Sequence, residues 1–284
     1  MAKLMGCALA CLSIVFGSLV AAQQPSGSKD QGSTTTSGKH PRQAKTQQEY
    51  VDYNTASVIK GGAAMEKAAN DFAAKYPNSE LRPSLYSLAM HEYRSEENPA
   101  KILAMGKKVL LFDPDNSIAL VLTATVLADS LSDTDQDREQ KVGEITANAG
   151  HALQTIDSAF VAPAQATAEQ IAEYKSTLQS AAHSALGVME FKNADYEGAE
   201  KELKTAADLN KTQPDPYIWY HLALAQDHQK KYTEALASVD QALHYTGSNP
   251  DLGKLAAGER ERLAKLTDGS SVPQTQPSPP NTPK

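Results

Sequence analysis

The sequence predicts an all-helical chain built from repeated helical hairpins. Three observations carry this. Residues 48–266 keep apolar positions at helical spacing, with no period-two alternation and no Asn-Gly hairpin turn. The chain is rich in alanine and only 6% aromatic, which suits closely packed helices better than a sheet sandwich. The body is also self-similar at a fixed offset, the signature of a repeat array.

Residues 1–22 read as a signal peptide. Lys3 precedes an apolar run from Leu4 to Ala22 that closes on the small residues Val20, Ala21 and Ala22, with polar Gln23 next. Cleavage after Ala22 is expected, and with it export to the periplasm or the cell exterior. The run is near the lower length limit for a membrane span, so an uncleaved anchor is the alternative. Cys7 and Cys11 both lie inside the leader, and neither follows the apolar run as a lipidated cysteine would. The cleaved chain therefore holds no disulfide, thiol nucleophile or cysteine metal site. No second long apolar run follows, so no membrane insertion is expected after cleavage. Residues 23–47 are rich in Gln, Ser, Gly, Thr and Lys and read as a flexible polar linker.

The body follows in order. Residues 48–82 hold a degenerate repeat, clearest in its second half, AMEKAANDFAAKYPNSELR. Residues 83–116 form a clearer one, with Tyr86 and Tyr93 on its first helix and NPAKILAMGKKVLLFDPDN as its second. Residues 117–157 hold a degenerate repeat whose second helix, 142–156, arrives late, after a polar loop at 129–141. Residues 169–177 extend the helix that leads into the repeat at 180–215, and 216–249 is the next repeat. Residues 252–266 form an amphipathic helix with Glu259, Arg260, Glu261 and Arg262, suited to capping the array with a polar face. Residues 267–284 carry Pro273, Pro277, Pro279, Pro280 and Pro283 and read as a disordered proline-rich tail.

The strongest self-match lies within 180–247. With Ala199 on Ala235, His183 meets Trp219, Leu186 meets Leu222, and Gly187 meets Ala223. Tyr196 then meets Tyr232, Leu203 meets Val239, and Ala206 meets Ala242. The offset is 36 residues, and the extra length falls at Gln213, Pro214 and Asp215, between repeats, where insertion costs little. Small residues at Gly187, Ala199, Ala223 and Ala235 let antiparallel helices approach, while Leu186, Leu203, Leu222 and Val239 fill the seam. This pattern resembles the tetratricopeptide repeat, whose usual period is ~34 residues. Ile102 and Gly106 depart from it, replacing the usual alanine and aromatic. The Tyr76-Pro77-Asn78-Ser79 ending resembles family members of bacterial envelope assembly.

The resemblance implies a right-handed superhelix of four to five hairpins with a concave face that receives a segment of a protein partner. The family's groove-facing positions fall on His91 and Arg94, on Val188 and Phe191, and on Tyr217, Tyr220 and Leu224. Trp219 falls on a core position. The carboxylate clamp of chaperone-binding members is missing, because Ser184, Val188, Tyr220 and Leu224 stand at its places.

Chemistry-bearing motifs point elsewhere. The formal net charge is −7, so the basic footprint of a nucleic-acid binder is missing. No nucleophile elbow, P-loop, Rossmann fingerprint or HExxH occurs, and no acid/base pair is apparent. No enzyme activity and no cofactor are expected. His221 and His228 share a helix face without a third ligand. Asp240 and His244 suit a surface ion pair. Asp133, Asp135, Asp137 and Glu144 occupy positions one, three, five and twelve of a calcium loop, but Arg138 stands where a glycine should turn the chain. The leading expectation is thus a non-catalytic scaffold in the cell envelope. The alternative is a calcium- or small-ligand-binding module built on residues 133–144.

Overall fold

The computed structural model describes residues 42–162, 165–247 and 249–270, with side chains as far as residue 267. The leader 1–22, linker residues 23–41 and tail residues 271–284 lie outside the described residues. Eleven α-helices and no β-strand occur among the described residues. They are α1 (Gln47–Ser57), α2 (Gly62–Lys75), α3 (Arg82–Ser95), α4 (Pro99–Phe112), α5 (Ser117–Ser130) and α6 (Arg138–Ala159). Then come α7 (Ala168–Lys192), α8 (Tyr196–Leu209), α9 (Pro216–His228), α10 (Tyr232–Tyr245) and α11 (Pro250–Ser270). None is long and apolar enough to cross a membrane.

Each helix packs on the next, and α5 also packs on α7, so the chain is an α-solenoid of five successive helix pairs closed by α11. Local chemistry fixes most starts. Asn98, Asn116, Asp195 and Asp215 each place a side-chain oxygen on a backbone N–H of the first turn, at 2.9–3.2 Å. Pro99 and Pro216 follow two of these caps, where a missing N–H costs nothing. Thr167 and Gln170 form a reciprocal capping box at the start of α7.

Several boundaries differ from the sequence expectation, among them the start of α6, which falls at Arg138 and not at residue 142, shortening the expected 129–141 loop at both ends. Residues 42–46, read as linker, pack on the body. Ala44 is buried, Arg42 pairs with Asp113, and Thr46 caps α1. The last helix also continues past 266 to Ser270.

Three hairpins, α3–α4, α7–α8 and α9–α10, close with the same turn. Glu97, Ala194 and Lys230 adopt left-handed backbone, with φ of 51°, 60° and 61°. In each, the next N–H reaches back to the carbonyl five residues earlier: Asn98 to Tyr93, Asp195 to Glu190, Lys231 to Gln226. These are helix-ending Schellman motifs, and they satisfy carbonyls that the helix leaves open. None of the three has glycine in the left-handed position, which is strained for an L residue by about 1 kcal/mol. Lys230→Gly is therefore expected to raise stability by roughly 0.5–1 kcal/mol, with Lys230→Ala near neutral. Denaturant midpoints of the three proteins check this, and a destabilised Lys230→Gly would contradict it.

Packing explains why small residues sit at the helix crossings. A Cβ added to Gly187 would meet Leu203 Cγ at 2.7 Å and the Ala199 carbonyl oxygen at 3.3 Å. A Cβ added to Gly106 would meet Thr123 Oγ1 at 2.5 Å. Helix α5 differs from the others in being apolar nearly all round. Residues from Ala119 to Ala128 are buried, because α4, α6 and α7 enclose it.

Candidate functional site

Helix α11 decides the fate of the aromatic cluster on α9. It starts beside the start of α9, where Asn249 Nδ2 donates to the Tyr217 hydroxyl at 2.9 Å. It passes the end of α9, where Arg262 pairs with Asp227 at 2.5 Å. The two helices therefore run the same way, and Leu252, Ala256 and Leu263 pack in one cluster with Tyr217 and Tyr220. Both tyrosines are 8% exposed. Burial pushes the Tyr220 hydroxyl above its ordinary pKa, helped by Glu259. Leu224 is half-buried against the same cluster. Val188 is 4% exposed in the main core. Val188, Tyr217 and Tyr220, expected on an open face, are thus buried within the chain and leave little surface for a docking side chain.

His91 and Arg94 lie half-buried on α3. Burial lowers the pKa of both, and for His91 the nearby Arg94 adds to the effect. Phe191 occupies a different setting. It is half-buried near the end of α7, with ring centres of Tyr196, His228 and His221 at 5.6, 5.5 and 6.4 Å. His228 is exposed and stacks on Tyr196 at 4.2 Å and 10°. His221 is half-buried and its Nδ1 donates to the Tyr217 carbonyl at 2.9 Å. Burial lowers its pKa, so it is neutral at pH 7. The two histidines thus support the aromatic cluster and do not face a common ligand.

An open groove of about 690 Å3 lies here, floored by Phe191, Tyr196 and His228. Its second wall is the loop after α5, with Leu131, Ser132 and Asp133, plus Arg138 from the start of α6. Cations hold this wall in place. Arg138 donates to the Lys192 carbonyl at 2.6 Å and to Asn193 Oδ1 at 2.5 Å, and pairs with Asp133 at 3.3 Å. Lys192 Nζ donates to the carbonyls of Ala128 and Asp129 at 2.8 and 2.6 Å, capping the end of α5. Burial lowers the Lys192 pKa, with Asp129 opposing. Burial pushes the Asp129 carboxyl up to about 7, and it does the same to Glu190, whose neighbours Glu202 and Asp195 add to the rise.

The acidic loop does not gather its carboxylates. Asp135 and Asp137 both turn to Lys141, at 3.0 and 3.1 Å, and Asp133 turns to Arg138. Glu144 faces Lys107 at 3.8 Å and accepts from Gln140 at 2.8 Å. Helix α6 begins at Arg138, inside the twelve-residue span, so its backbone carbonyls turn into helix bonds in place of ligands. Among the described residues, no three His, Cys, Asp or Glu side chains are grouped to hold a metal ion. Asp240, read as a partner of His244, instead accepts from Arg260 at 2.6 Å.

Sequence reasoning put Phe191 on a concave face and considered Arg138 in the acidic loop and His228 beside His221, but it did not bring these three together and it passed over Lys192 and Asn193. The available signal was the lengthened loop at 129–141, since long ordered loops concentrate binding function. No protein-family model and no curated protein matches the chain.

Proposed function

We propose that this chain is an exported tetratricopeptide-type scaffold that holds a segment of another protein, with the groove around Phe191 as the contact. The observation that carries this reading is the groove itself. Aromatic side chains from two adjacent hairpins meet there, partly exposed, on helices whose positions are fixed by their neighbours. Rigid aromatics are good anchors because little side-chain freedom is lost on docking. The tetratricopeptide assignment is supported by the shared left-handed turns at Ala194 and Lys230, which repeat the 36-residue offset of the sequence. The reading is non-catalytic, and a role in envelope assembly is its narrower form, resting on the Tyr76-Pro77-Asn78-Ser79 resemblance.

The test is site-specific photocrosslinking in the envelope fraction of the native host. One photoreactive residue replaces exposed Asn193 at the groove; a control replaces Leu111 on α4, 74% exposed. A protein captured at residue 193, not at 111, and lost about tenfold with Tyr196→Ala is the expected result. Equal capture at both sites, or none at residue 193, would sink the reading.

A further inference from the structure

The groove carries charge as well as rings. Two cations, Arg138 and Lys192, and one carboxylate, Asp133, line it beside Phe191, Tyr196 and His228. Lys192 turns inward, onto the Ala128 and Asp129 carbonyls. Arg138 stays at the surface of the wall. Asn193 and the Lys192 carbonyl fix its guanidinium, and its side chain is still 24% exposed. Its counter-ion is loosely held. Asp133 meets Arg138 Nη2 at 3.3 Å, with its own side chain 91% exposed. An ion pair so open to water contributes little, so a carboxylate from outside can replace Asp133 at small cost. Asp135 and Asp137 do not compete for Arg138, since both turn to Lys141.

The backbone narrows the choice of carboxylate. The N–H groups of Asn193, Ala194 and Asp195 all return to carbonyls at the end of α7. The turn therefore offers no nest of free amides, the usual means of capturing a chain-terminal carboxylate. What remains is a positioned guanidinium, which binds a side-chain carboxylate through charge-assisted hydrogen bonds. The three rings beside it suit an aromatic or proline residue next to that acid.

We propose that the groove takes a partner segment in which an Asp or Glu adjoins an aromatic or proline residue, the acid pairing with Arg138. Asp133 holds the acid's place until the segment arrives. This deepens the scaffold reading and rests on the same groove.

The full chain is panned against phage displaying random dodecapeptides, and phage that also bind Tyr196→Ala are discarded. The expected winners carry Asp or Glu beside an aromatic or proline residue. In a synthetic copy of a winner, replacing the acid by its amide should weaken binding about tenfold. Asp133→Asn keeps the ties of Arg138 to Asn193 and Lys192. It should tighten the acidic peptide about two- to fivefold and leave the amide peptide unchanged. Arg138→Gln should erase the difference between the two peptides. Winners without an acid would overturn the proposal and leave the scaffold reading standing. Equal binding of the acidic peptide to wild type and Asp133→Asn would overturn it too. If no peptide is selected the proposal falls, and capture at residue 193 judges the scaffold reading separately.

Discussion

Glu200→Gln is expected to lower stability by roughly 2–3 kcal/mol, although it preserves the side chain's size. Glu200 on α8 is 5% exposed and joins three helices. Its oxygens accept from Lys204 and Lys231 at 2.6 Å, from Gln229 at 2.9 Å and from Gln226 at 3.3 Å. Gln226 in turn accepts from Ser238 on α10 at 2.7 Å. An amide in place of the carboxylate would turn its N–H2 toward one of the two ammonium groups, Lys204 on one oxygen or Lys231 on the other, and break the set. The expected fall in melting temperature is about 5–10 °C for a body of this size.

The same carboxylate makes a pH prediction. Burial alone would raise its pKa, but the hydrogen bonds from Lys204, Lys231, Gln226 and Gln229 outweigh burial and hold it at about 2. An unfolded glutamate titrates near 4.3. Between these values the unfolded chain binds the proton and the folded chain does not, so stability rises with pH across the window. The contribution is complete above about pH 5 and is lost as pH falls toward 2. Denaturant unfolding of the wild type should show this slope, and Glu200→Gln should flatten it. Parallel slopes in the two proteins would mean that other carboxylates carry the acid sensitivity.

The second large effect is expected at the α7–α8 crossing. Leu203 is fully buried, and Leu203→Ala should cost about 3 kcal/mol from lost burial and the cavity left behind. Gly187→Ala should cost about 1–3 kcal/mol, since its new Cβ would stand 2.7 Å from Leu203 Cγ. The two changes should not add. With Leu203 shortened, the methyl at 187 enters vacated space, and the double variant should recover about 1–2 kcal/mol of the sum. Strict additivity would show that backbone contact with Ala199, not the Leu203 side chain, sets the spacing of these helices.

The sequence by itself determined the helices, the repeat offset and the close crossings. These depend on neighbours along one chain segment. Apolar residues at helical spacing define a buried face, Asn or Asp followed by a first turn defines a start, and Gly187, Ala199 and Ala235 admit a facing helix whatever lies beyond it. Even the capping helix at the end of the array was readable from its amphipathic pattern. What only the tertiary structure decided is which apolar and aromatic residues remain available. Tyr217 and Tyr220 occupy positions that a repeat pattern assigns to an open face, yet α11 lies along α9 and covers them. Val188 is covered by the same logic, where α7 packs on α5. The groove at Phe191 needs a loop from one hairpin, a turn from the next and the end of a third, held by Arg138 and Lys192. Exposure and convergence are properties of surfaces brought together from distant segments, and periodicity along the chain carries no record of them.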